Sequence, residues 1–201
     1  MLWSIKPLRL TIISVAGFFL AIVMYAAFWA AWYRIPAQPP KTVDLRMSPA
    51  QDARYLTFCA GLAGNPHGFP GHAYVVWSKV ANADPMKADS IGFIPQRYND
   101  QFISPFVTVP GMLHYHAALY NQRNLETLTV IVDPITYEKT IAERMIWEDT
   151  EFHAVTRDCV SFTTKIAQTA GLKVPQTRCL YPQDQIKQLK ALNALNKNAG
   201  Q

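Results

Sequence analysis

Residues 10–33, LTIISVAGFFLAIVMYAAFWAAWY, form 24 consecutive positions without a charged side chain. As one helix the run would be about 36 Å long. A bilayer's hydrocarbon core is about 30 Å thick, so the run predicts a transmembrane helix that spans it with some tilt. Trp29, Trp32 and Tyr33 fall where an interfacial aromatic belt belongs. A cleaved signal peptide would have an apolar stretch of about 7–15 residues and a small-residue cleavage site. The greater length, and bulky Phe28, Trp29, Trp32 and Tyr33 at the end, favour an uncleaved anchor.

Lys6 and Arg9 precede the run, and Arg34, Lys41 and Arg46 follow it. This slight bias, with the amino terminus, puts residues 1–9 in the cytoplasm and the remainder in a periplasmic or extracellular space. Four of the 19 basic residues and none of the 14 acidic ones lie in residues 1–41. The other 15 bases and 14 acids leave residues 42–201 at +1. A nearly neutral domain with no Lys/Arg cluster lacks the footprint of nucleic-acid binding.

Residues 34–41, RIPAQPPK, read as a stiff Pro-rich spacer. Residues 42–201 are long enough for one domain with its own core. Strands are predicted over residues 55–62, 72–79, 90–96 and 125–132, where β-branched and aromatic residues concentrate, with another at 111–116. On the second strand His72, Tyr74 and Val76 share one face, and Ala73, Val75 and Trp77 the other. Asp133 and Pro134 open a helix to about Trp147. A second helix begins near Asp158 and ends at Gly171, and a third runs from Pro182 to about Leu195. The expected fold is α+β: a small antiparallel sheet packed on helices, plus one N-terminal transmembrane helix.

Two features can carry chemistry: Gly71-His72 at the start of a strand, and Asp158-Cys159 at the start of a helix. The first turn of a helix has unpaired N–H groups and a partial positive charge. A thiolate there is stabilised and becomes nucleophilic near neutral pH, and the same N–H groups can hold an oxyanion. A histidine on a neighbouring strand could take the thiol proton. The competing reading is structural: Cys159, Thr163, Ile166 and Ala170 share one helical face, as a packed core cysteine would. His114 and His116 alternate as strand metal ligands could, but no second ligand pair has suitable spacing, so neither metal nor cofactor is expected.

The string Gly71-His72-Ala73-Tyr74-Val75-Val76, followed by Ser90-Ile91-Gly92-Phe93-Ile94-Pro95, resembles the first hairpin of circularly permuted papain-like domains. These are the relatives of NlpC-type cell-wall peptidases and lecithin–retinol acyltransferase. Arg157-Asp158-Cys159-Val160-Ser161-Phe162, closing at Ala170-Gly171, resembles their Cys helix, and the likeness covers roughly residues 55–176. It implies a cysteine hydrolase with Cys159 as nucleophile and His72 as base, cleaving an amide or ester through a thioester. A peptidoglycan peptide is the leading substrate and a lipid acyl group the second, with membrane lipid as partner of the N-terminal run. The family adds a third polar residue to orient the imidazole; here Gln96, His114 and His116 are all open. The alternative is a non-catalytic membrane-anchored envelope protein that keeps the shell for binding. Three cysteines in an exported domain suggest a Cys59–Cys179 bridge and a free Cys159.

Overall fold

The computed structural model describes residues 17–25, 37–61, 71–84, 87–115, 117 and 125–194. The chain divides into two compact units, Met1–Pro36 and Ala37–Gln201. In the first, residues 17–25 are an exposed helix, α1. Among the described residues no helix is long and apolar enough to cross a membrane. The expected transmembrane helix is thus corrected to these nine described helical positions, and the rest of residues 10–33 lies outside the described residues, as do residues 1–9.

The second unit is built on one sheet of seven strands: β1 (Lys41–Asp44), β2 (Arg54–Gly61), β3 (His72–Ser78), β4 (Asp89–Pro95), β5 (Val109–Tyr115), β6 (Glu126–Val132) and β7 (Glu151–Phe152). Their spatial order is β1-β6-β2-β3-β4-β5-β7. β1 pairs parallel with β6, and every other pair is antiparallel. The expectation of a small antiparallel sheet is therefore corrected to a larger mixed one. The physical reason is β1, which escapes notice because it is four residues long and follows prolines. It gains its place by laying Lys41–Asp44 along Leu128–Ile131. The α+β class stands.

Alternation sorts the strands into two faces. Leu56, Phe58, Ala73, Val75, Trp77, Ile91, Phe93, Leu113, Leu128 and Val130 pack against the helices. These are α3 (Pro134–Met145), α4 (Cys159–Thr169) and α5 (Pro182–Leu192), while α2 (Asp100–Ile103) is a single turn between β4 and β5. α4 lies on β3 and β4, and α5 on β2 and β6. The opposite face carries a smaller cluster of Cys59, Tyr74, Val76 and Ala117.

The helix starts follow local chemistry. Asp133 caps α3 through the Thr136 N–H at 2.9 Å, with Pro134 in the first turn. Asp158 caps α4 through the Ser161 N–H at 3.0 Å. Buried polar groups are paired: the Trp77 indole donates to Thr140 Oγ1 at 3.0 Å, and Gln185 on α5 donates to the Val160 carbonyl of α4 at 3.0 Å.

The Pro-rich segment is less of a spacer than its composition suggests. Lys190 Nζ and Glu126 Oε2 form a buried ion pair at 2.6 Å. The same ammonium donates to the carbonyls of Gln38 and Pro39, and Glu126 Oε1 accepts the Gln38 N–H. Residues 38 and 39 are thus fastened to α5 and β6.

Candidate active site and its surroundings

Cys159 stands at the first position of α4, as expected, with Asp158 as the capping residue. The backbone N–H groups of Ala73 and Val160 lie close to its thiol. Both would stabilise a thiolate. Burial outweighs them: Cys159 is 9% exposed, and desolvation, helped by the neighbouring Asp158 carboxylate, pushes the thiol up to about 12. Asp158 is itself held by Ser161 Oγ at 3.1 Å and by an ion pair with Arg178. Burial raises its carboxyl above the ordinary range even though Ser161 and Arg178 pull it down.

His72 opens β3 as expected, but its ring leaves the sheet on the face away from α4. It stacks on Tyr74, with centroids 6.4 Å apart and planes 24° from parallel. It also covers Gly92: a Cβ at position 92 would meet His72 Cε1 at 2.7 Å, besides Nε2. Cys159 belongs to the same helix-face core cluster as Ala73 and Val75. The structure therefore brings the Cys159 thiol to the backbone of β3 beside His72, and does not bring the His72 ring to the thiol. The cause is strand parity, which sends adjacent side chains to opposite faces.

Of the three candidates for an orienting residue, His114 shares the His72 environment. It sits opposite Gly92 in the β4–β5 register, so its side chain leaves on the face that the His72 ring covers. Gln96 does not: the Tyr74–Gly92 register aligns His72 with Ile94, and the exposed Gln96 gives its N–H to the Pro110 carbonyl at 2.8 Å. His116 lies outside the described residues.

The expected Cys59–Cys179 bridge does not form; all three cysteines are free and buried. Cys59 faces the smaller cluster, where its thiol hydrogen-bonds Tyr74, and burial pushes it up to about 12. Cys179 belongs to the loop before α5, beside a cleft of about 350 Å³ lined by Trp147, Ser161, Thr164, Lys165, Gln168 and Arg178 among others. Arg157 stacks on the Trp147 ring nearby, 4.9 Å from its centroid. This cleft on the outer side of α4 was not legible in the sequence. Arg178 is 20 residues from Asp158, with no spacing rule to link them. Among the described residues no three His, Cys, Asp or Glu side chains are grouped to hold a metal ion.

No family model, curated protein or solved structure compared with this chain matches it.

Proposed function

We propose that the domain is a membrane-associated binding domain of the cell envelope, a papain-like shell that works without acyl transfer. The observation that carries this reading is the separation of the two expected catalytic groups: a buried, protonated thiol on one face of β3 and an imidazole on the other. A general base must come within hydrogen-bond reach of the proton it removes, directly or through one water. The cleft beside Trp147 offers the ligand an aromatic wall, hydroxyls and the cations Lys165 and Arg178. The uncharged run at residues 10–33 supports a place at a membrane.

One observation favours the runner-up, a cysteine hydrolase acting on a cell-wall peptide or a lipid acyl group. Two backbone N–H groups, of Ala73 and Val160, lie close to the helix-start thiol, an arrangement suited to a thiolate or an oxyanion. That reading requires the His72 ring to swing around its strand end. Timed alkylation of the folded chain between pH 6 and 9, with the site mapped by mass spectrometry, separates the two. The binding reading expects Cys159 to stay unmodified throughout. Rapid modification of Cys159 at pH 7, slowed in His72→Ala, would establish the hydrolase instead.

A further inference from the structure

The outer face of α4 carries an ordered set of polar side chains. Ser161, Thr164, Lys165 and Gln168 recur at the i, i+3, i+4 and i+7 positions of one helical face. Phe162, Thr163, Ile166 and Ala167 of the same helix are buried. All four polar residues line the cleft of about 350 Å³, together with Trp147 and residues 175–179 of the loop before α5. From Ser161 to Gln168 this wall is about 10 Å long, the span of roughly three extended residues.

The hydrogen bonds already made inside the protein decide what the wall can still offer. A hydroxyl has one hydrogen to give and two lone pairs to receive with. Ser161 Oγ gives its hydrogen inward, to the Thr156 carbonyl or to Asp158 Oδ1, each 3.1 Å away. Thr164 Oγ1 donates to the Val160 carbonyl at 2.7 Å and accepts from the Gln185 amide. Toward a ligand both hydroxyls are therefore acceptors only. Lys165 and Gln168 are exposed, and neither side chain has an ion pair or hydrogen bond among the described residues. None of the described residues lining the cleft is acidic. Asp158 at the start of α4 and Asp184 in the first turn of α5 are already paired, with Arg178 and with Lys187. The cleft thus asks for N–H donors along its hydroxyls and an anion at its free ammonium.

We propose that this cleft binds the end of a peptide that carries a free C-terminal carboxylate, seating about three residues. Its carboxylate lies at Lys165, and its backbone amides run along Ser161, Thr164 and Gln168. This rests on the reading of the domain as a binding one and names the class of ligand. A phosphate is the poorer occupant, because it brings oxygens alone and would set its lone pairs against those of the two hydroxyls.

The test titrates the 15N-labelled full chain, in micelles of a non-ionic detergent, with trialanine, with trialanine amide and with inorganic phosphate. The backbone amide resonances of residues 161–168 and 176–179 are followed by NMR. Trialanine is expected to shift them saturably, with a dissociation constant on the order of millimolar for so small and open a contact. Capping its carboxylate as the amide should weaken binding about three- to fivefold, the strength of one exposed charge pair. Lys165→Gln should erase that difference, and Gln168→Ala should weaken both peptides alike. Equal binding of acid and amide to the unsubstituted chain overturns carboxylate recognition. Phosphate shifting the same resonances as strongly as trialanine overturns the peptide as occupant. No saturable shift with trialanine overturns the site altogether. The binding reading itself is decided separately, by whether Cys159 is alkylated in the same sample: a site that fails beside an unmodified Cys159 removes only the ligand named here.

Discussion

Replacing Lys190 by Met removes the cation from a carboxylate that has no solvent to turn to. Glu126 has no exposed side-chain surface, and Lys190 exposes 6% of its own. Stranding one member of such a pair costs about 3–5 kcal/mol. With a urea slope of about 2 kcal/mol/M, the unfolding midpoint of Lys190→Met should fall by about 2 M. Adding Glu126→Gln to that variant should restore stability rather than reduce it further. The amide needs no cation, keeps an oxygen for the Gln38 N–H, and should bring the total loss to about 1–2 kcal/mol. The assay is urea unfolding followed by tryptophan fluorescence on the wild type, both single variants and the double. A coupling energy of about 2 kcal/mol or more is expected from the cycle. Limited proteolysis at Lys41 supplies a second readout, because both variants lacking Lys190 lose its grip on the Gln38 and Pro39 carbonyls. If the two single losses simply add in the double variant, the pair is not the coupled clamp described here.

Three further outcomes follow from the same geometry. Folded Cys59 and Cys159 ionise near 12 against an ordinary 9.0, and Cys179 is also raised. Above pH 9 the unfolded chain therefore loses thiol protons that the folded chain keeps, so stability should fall with rising pH by about 1.4 kcal/mol per unit for each strongly raised thiol. Urea midpoints from pH 8 to 10.5 check this, with Cys59→Ala expected to reduce the slope and a flat profile refuting it. Gly92→Ala places a methyl against the His72 ring and within 3.2 Å of the Ala73 carbonyl. A loss of about 1–3 kcal/mol is expected, with a displaced His72 imidazole resonance in NMR spectra; an unmoved resonance would contradict the contact. Thr140→Val leaves the buried Trp77 indole without its acceptor and should lower stability by about 1–3 kcal/mol in thermal unfolding.

The elements with strong local signals were readable in advance. Asp133-Pro134 and Asp158-Cys159 mark their helix starts because capping depends on nearest neighbours. The face assignments on β3 follow directly from alternation. What escaped notice depends on distant partners. β1 forms only because β6 is there to receive it, and β7 is two residues long beside Val109 and Pro110. The site shows the same limit. That His72 opens a strand and Cys159 a helix could be seen in the residues. That the thiol would meet the Ala73 side of the strand depends on how α4 docks, which no local motif encodes.

The clamp at residues 38–39 also decides how the domain meets a mechanical load. A pull on the chain from its N-terminal side acts along β1, whose parallel ladder with β6 runs from Lys41–Leu128 to Asp44–Ile131 and continues in the Leu45 N–H to Ile131 carbonyl bond at 2.9 Å. Parallel hydrogen bonds are evenly spaced along a strand. Traction along that direction shears them together instead of peeling them one at a time, and it must first draw Gln38 and Pro39 away from Lys190 and Glu126. The short edge strand thus acts as the domain's mooring, strongest against traction applied from its N-terminal side.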